Sequence, residues 1–246
     1  SIMPYALKLH RNKFSPLSPA ETKLARMGFY AQCTYIDHQL RLLIGCLREE
    51  GVLDDTIIMI TGDHGDMIGN HNLWSKPPMF EWSAKIPMYL VPTAAYERVG
   101  HHQVDDRLAE LRDVMPTLLD LCDIPIPETV EGKSLISEEI RDHLYCEHYE
   151  DDRAMRMVRA DKYKLIWYPV GNRFHLFDLD ADPLEMKDLS NDPAYKDVKS
   201  QLEELMLGEL YGSDKRWVKD GKLEGEPDKD FVPKPNRGLT AQRGWR

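Results

Sequence analysis

Between residues 24 and 47 the apolar residues Leu24, Met27, Cys33, Ile36, Leu40, Leu43, Ile44 and Leu47 recur mostly three and four positions apart. That spacing puts them on one face of an α-helix. Just upstream, Ser18-Pro19-Ala20-Glu21 offers a serine N-cap, a proline at the first helical position and a glutamate three residues on that completes a capping box. Gly51 offers the stop. The pattern predicts one long helix lying against something large. The period then changes. Residues 56–60, TIIMI, form a short, continuous, largely β-branched run, which predicts a strand buried on both faces in a parallel sheet, and residues 87–91, PMYLV, predict a second. Residues 106–111 are a third strand candidate, and residues 114–122 a helix. Helix, strand, loop, strand and helix in this order is an α/β pattern.

After the proline-stiffened link IPIPE at residues 124–128 the pattern shortens. Residues 154–160, 163–169 and 174–179 read as successive strands with turns at Ala160-Asp161-Lys162 and Val170-Gly171-Asn172, an antiparallel meander, and residues 193–210 as a polar helix. The expected organisation is therefore an α/β part over residues 1–132 and a small α+β subdomain with an extended tail over residues 133–246. From Gly212 onward charge, glycine and proline dominate without periodicity, which reads as disorder, with Trp217, Phe231 and Trp245 available to pin the tail.

Composition narrows the function classes. The formal charge is 32 − 42 = −10 and no long run of one sign occurs, which argues against a nucleic-acid binder. The four cysteines, Cys33, Cys46, Cys122 and Cys146, show neither a C-x-x-C pair nor zinc-like spacing, so structural thiols are expected. No window reaches the roughly 20 apolar residues that span a bilayer, and SIMPYALKLHRNKF lacks the apolar centre of a signal peptide. A soluble product in an unspecified compartment is the expectation.

Residues 61–78, TGDHGDMIGNHNLWSKPP, directly follow the first predicted strand. In open α/β sheets functional groups collect at the carboxyl ends of strands. Asp63 and His64 offer one oxygen and one nitrogen donor, half of a metal site, or else a loop cap and a local hydrogen bond. Lys76 is either a solvated lysine or a holder of an anionic group. His71 lies between them and could line the same pocket, while Trp74-Ser75 reads as loop packing. Elsewhere, His101-His102 before Asp105-Asp106 reads as an exposed loop, Asp37-His38 as a polar contact from the long helix to the core, and His148 as a residue near a strand of the smaller unit.

The segment FYAQCTYIDHQLRLLIGCLREEGVLDDTIIMITGDHGDMIGNHNLWSKPPMFEWSAKIPMYLV resembles the sulfatase family of the alkaline-phosphatase superfamily in its run of helix, strand, metal dipeptide, lysine and strand. RDVMPTLLDLCDIPIPETVEGKSL resembles the family's next landmark, and MRMVRADKYKLIWYPVGNRFHLFDLDADPLEMKDLSNDP its C-terminal subdomain. The resemblance implies an alkaline-phosphatase-like mixed sheet flanked by helices, present in part, then a small antiparallel C-terminal sheet. It implies that Asp63 and His64 are two ligands of a divalent cation, calcium first, with manganese or magnesium as alternatives because imidazole departs from calcium's preference for oxygen. Lys76 takes the place of the sulfate-contacting lysine, and His148 lies near a strand from which the family sometimes extends residues to the pocket rim.

The family's nucleophile, a formylglycine made in a C/S-x-P/A-x-R motif, has no counterpart: none of the four cysteines has Pro or Ala then Arg at the required spacing, Ser15 is followed by Leu17 where Pro or Ala is needed, and Ser18 by Thr22 where Arg is needed. The chain thus resembles the C-terminal portion of a sulfatase, expected to be inactive alone, with a missing N-terminal half or self-association covering its exposed faces. A sulfated small molecule or glycan is the expected substrate. Two other readings stay open: a phosphonate or phosphodiester hydrolase of the same superfamily, to which His64 lends support, and a non-catalytic binding module.

Overall fold

The structure, a computed structural model, describes residues 3–13, 17–76, 78–93, 96, 98–100 and 102–233. Its elements in chain order are helices α1 (Tyr5–Lys13) and α2 (Pro19–Glu49), strand β1 (Ile58–Thr61), helix α3 (Glu81–Ala84), strand β2 (Met88–Val91), helix α4 (Val114–Leu121), strands β3 (His143–His148), β4 (Met155–Ala160), β5 (Tyr163–Tyr168) and β6 (Arg173–Asp178), helix α5 (Lys196–Glu209), and the short strands β7 (Val218–Lys219) and β8 (Lys222–Leu223). The chain forms two compact units, one of Pro19–Asp63 with Ile86–Asp142, the other of Ser1–Ser18, His64–Lys85 and His143–Arg246. These units interleave along the chain, unlike the linear division at 132/133 expected from composition.

In the unit of residues 19–63 and 86–142, α2 starts at Pro19, as the capping signals predict. It ends in a Schellman closure: Gly51, at φ 70, donates its N–H to the Arg48 carbonyl at 3.1 Å, and Val52 donates to Leu47 at 3.0 Å. The expected burial of its apolar face is not observed: none of its residues is buried, and Leu24 (69%), Met27 (57%), Ile36 (56%) and Leu43 (55%) are exposed. Asp37 and His38 are exposed as well, so the expected polar contact to a core is absent.

Strands β1 and β2 pair antiparallel, with Ile58 opposite Val91 and Thr61 opposite Met88, where a parallel pairing was expected. An apolar run of four or five residues carries no information about the direction of its neighbour, and in this two-stranded sheet no strand residue is buried. Residues 106–111 form no strand either. The Glu110 N–H is taken by the Asp113 carboxylate at 2.9 Å in a reciprocal capping box, and the Arg107 guanidinium is held by the Ser137 carbonyl at 2.8 Å. A short 3-10 turn there leads into α4 at the predicted place. The RDVMPT landmark proves architectural. Buried Asp113 accepts the Lys133 N–H at 2.8 Å and pairs with Arg141, while the Thr117 hydroxyl donates to the Asp113 carbonyl at 2.6 Å and accepts the Leu135 N–H at 2.9 Å.

In the other unit β3–β4–β5–β6 form the antiparallel meander, with β3 as an edge strand beyond the three expected ones. Alternation along the strands splits the core in two. Val158, Leu165, Trp167 and Leu176 pack with Leu202 and Met206 of α5 and with Trp217. Met155, Met157, Ile166, Tyr168 and Phe177 point to the opposite face, where they meet Ala6 and Leu7 of α1 and Met67, Leu73, Met79 and Phe80 of residues 64–85. That packing is why residues 64–85 join this unit. Residues 212–233, expected to be disordered, are ordered. A 3-10 turn buries Trp217 to 1% exposure, β7 and β8 pair, Val170 and Glu226 form a bridge, and Phe231 meets the Tyr5 ring edge-on. Trp245 lies outside the described residues.

Candidate functional site

Asp63 closes one unit and His64 opens the other, and both are exposed. His64 Nδ1 lies 2.6 Å from the Gly65 carbonyl oxygen. A carbonyl only accepts, so Nδ1 is the donor in this contact. Among the described residues no group of three or more His, Cys, Asp or Glu side chains is placed to hold a metal.

Residues 65–83 form a closed framework. The Gly65 N–H donates to the Ser83 carbonyl at 2.8 Å, and a Cβ at Gly65 would stand 2.2 Å from the Trp82 carbonyl oxygen, so only glycine permits this approach. Asp66 Oδ1 accepts N–H groups from Ile68 at 2.9 Å and Ser75 at 3.1 Å, and Met67 donates to the Ser75 carbonyl at 3.1 Å. Met67 and Leu73, fully or almost fully buried, anchor this ring in the core beneath. His71, at φ 54, stacks on Phe80 with centroids 4.4 Å apart and donates from Nε2 to the Leu184 carbonyl at 3.1 Å, so the structure shows it bracing the loop. The Trp74 carbonyl accepts from His10 Nε2 of α1 at 2.5 Å.

Lys76 emerges from this framework. Its carbonyl accepts the Ser83 hydroxyl, and its side chain is exposed and has no carboxylate partner among the described residues. The backbone is fixed while the ammonium is left available.

Beneath the same segment lies a charge cluster that sequence reasoning missed. Lys164 on β5 is fully buried, its ammonium 2.9 Å from Glu81 Oε1 and 2.9 Å from Glu185 Oε1. Glu185 Oε1 has this ion pair but no hydrogen-bond partner among the described residues. Glu185 Oε2 accepts the Glu81 N–H at 2.6 Å. Burial disfavours both charges. For Glu81 the Lys164 ammonium outweighs it and lowers the carboxyl pKa, whereas for Glu185 burial wins and raises it. Glu185 is the glutamate of the Asp-Pro-x-Glu segment and sits in the left-handed region at φ 55, a conformation retained where the surroundings demand it. The only sequence signal was a lysine interrupting the otherwise apolar and aromatic YKLIWY.

His148 ends β3. Its Nε2 is buried and has no hydrogen-bond partner among the described residues. Burial first, then the fields of Lys76, Arg153 and Arg156, hold its pKa below the usual histidine value. Of the other histidines singled out, His102 is exposed and His101 lies outside the described residues.

Comparison with known proteins gives these features a family. A family model described as N-sulphoglucosamine sulphohydrolase, C-terminal, matches residues 69–210, and one described as Sulfatase matches residues 12–124. An arylsulfatase of Clostridium perfringens is 35% identical over 207 residues, covering 82% of this chain and 43% of its own length. Among solved structures, a 2-O GAG sulfatase aligns with a TM-score of 0.67 at 25% identity, over 75% of this chain and 42% of that one. A phosphonate monoester hydrolase of Agrobacterium radiobacter aligns with a TM-score of 0.62 at 25% identity, over 70% and 38%. The chain thus spans less than half the length of each of these relatives. The Asp-His dipeptide, the braced lysine loop and the meander that carries it belong together in one lineage: the chain is a member of the sulfatase family, with the alkaline-phosphatase-like fold.

Proposed function

We propose that the polypeptide carrying this chain hydrolyses sulfate esters of a small molecule or glycan, and that this chain supplies Lys76 as the sulfate contact and Asp63 and His64 as two ligands of a divalent cation. Lys76 carries the reading: its ammonium is exposed and unpaired among the described residues while its backbone is pinned through Ser83. A cation so placed stabilises the negative charge that develops on sulfuryl and ester oxygens, without having to reorganise. A bound metal would withdraw charge from the same oxygens. Asp63 suits calcium, manganese or magnesium, and the imidazole of His64 leans toward manganese; calcium is kept first. The formylglycine is assigned to a segment outside this chain, so the 246 residues alone are expected to be inactive.

The full-length polypeptide, assayed on an aryl sulfate and an aryl phosphonate, tests this. Sulfate turnover is expected to dominate, and Lys76→Ala to lower kcat/KM by about 100- to 1,000-fold, the cost of removing one preorganised donor. Dominant phosphonate turnover would establish the second reading, which His64 and the phosphonate monoester hydrolase likeness favour. Turnover indifferent to Lys76→Ala would remove the lysine from the site.

A further inference from the structure

We infer that Ser83 and Glu81 of α3 are positioning residues for Lys76: the buried Lys164–Glu81–Glu185 cluster sets α3 on the meander, and Ser83 passes that placement to the loop. The inference rests on the sulfatase reading above. Two atoms of Ser83 hold the two ends of the candidate loop. Its hydroxyl donates to the Lys76 carbonyl, and its own carbonyl accepts the N–H of Gly65, the residue after His64, at 2.8 Å. Ser83 is buried, and Gly65 has no room for a Cβ against the Trp82 carbonyl oxygen, so loop and helix meet backbone to backbone. A shift of α3 therefore moves the Lys76 backbone with it.

A helix of four residues does not fix its own position. It is a single turn, far below the length at which a helix is stable by itself, and Phe80 at its N-cap makes no side-chain cap. The meander supplies what is missing. Arg159 on β4 and Lys164 on β5 are direct cross-strand partners, and both reach the Glu81 carboxylate, at 3.6 and 2.9 Å. Glu185 Oε2 accepts the Glu81 N–H at 2.6 Å, one of the helix-start donors that has no partner within the helix. The neighbouring Leu184 carbonyl accepts from His71 at 3.1 Å, so one turn of chain braces both α3 and the loop. Buried charges contribute little net stability over apolar side chains of the same volume. They do impose direction and distance, where apolar contacts would let α3 slide. A lysine that must meet charge developing on a sulfuryl oxygen is sensitive to such sliding, since a misplacement of about 1 Å costs about 100-fold in rate.

The test is a pair of double-mutant cycles in the full-length polypeptide. Ser83→Ala and Glu81→Gln, each alone and combined with Lys76→Ala, are assayed on an aryl sulfate and an aryl phosphonate well below the lowest melting temperature of the set. Ser83→Ala is expected to lower kcat by about 10- to 100-fold and Glu81→Gln by about 3- to 10-fold, with KM changed by less than about threefold. In the Lys76→Ala background each is expected to change kcat by less than about twofold, because the residue it acts through is gone. Should Ser83→Ala fail to fold, the Glu81→Gln cycle decides alone. Unchanged kcat in either single variant, in a protein that turns over sulfate esters, would overturn the inference and leave the sulfatase reading standing. Equal losses with and without Lys76, following the melting temperatures, would make Ser83 and Glu81 residues of the fold alone and overturn it as well. Coupling to Lys76 with the phosphonate as the dominant substrate would support the positioning role and sink the sulfatase reading. A full-length parent that hydrolyses neither ester would remove both.

Discussion

Two lysines of one unit show how burial divides roles at the scale of the residue. Lys76 is exposed and unpaired among the described residues, whereas Lys164 is fully buried between Glu81 and Glu185. Removing one member of a buried charge cluster leaves its partners unpaired, so Lys164→Met is expected to destabilise the protein by about 3–5 kcal/mol, read from the denaturant midpoint. Glu185→Gln, whose carboxyl burial already pushes toward the neutral form, is expected to cost less than Lys164→Met. Of these residues only Lys76 was legible in the sequence, because the dipeptide, the breakers and the lysine are local. Lys164 is 83 positions from Glu81, and Glu185 is 104 from it. No local pattern links residues that far apart.

Among the elements, end signals proved more informative than apolar content. Ser18-Pro19 and Gly51 bracket α2, and the turns around Asp161 and Gly171 separate β4, β5 and β6 as expected. The strand expected at residues 106–111 failed because side chains take its backbone groups, Asp113 above all. Helix α4 is tied down in the same way. Asp120 accepts the Ser134 hydroxyl at 2.5 Å and the Arg98 guanidinium at 2.6 Å, and these two, the hydroxyl first, hold its pKa below the usual aspartate value. A carboxyl depressed in the folded state contributes stability above its unfolded pKa and loses it as pH falls through the folded one. The stability gap between parent and Ser134→Ala, measured by thermal melts of the full-length polypeptide, is therefore expected to be widest near neutrality and to narrow below about pH 4, the ordinary aspartate range. A gap that widens with acid would contradict the bond as drawn.

For the whole molecule, the path of the chain matters more than any one element. It leaves one compact unit at Asp63, contributes residues 64–85 to the other, and returns at Ile86. Within this chain α2 buries none of its residues and keeps Leu24, Met27, Ile36 and Leu43 exposed. Apolar faces of this extent are normally covered in folded proteins. The 246-residue chain alone is accordingly expected to elute larger than its 28.5 kDa mass or to aggregate, and to become monodisperse when expressed with the rest of the polypeptide. A monomeric 28.5 kDa species with a cooperative melt would count against this. Among the described residues no helix is long and apolar enough to cross a membrane.

By itself the sequence determined what is encoded within a few residues: the limits of α2, the meander, and an Asp-His dipeptide and a lysine on one loop after a strand. Family resemblance joined these because their order survives in one dimension. Only the tertiary structure decided which way β1 and β2 pair, that residues 64–85 pack on the meander, and that Lys164, Glu81 and Glu185 form one buried cluster. It also left His148 Nε2 buried without a hydrogen-bond partner among the described residues. Each of these depends on which distant groups exclude water from one another, and desolvation is a property of packing that no local spacing records.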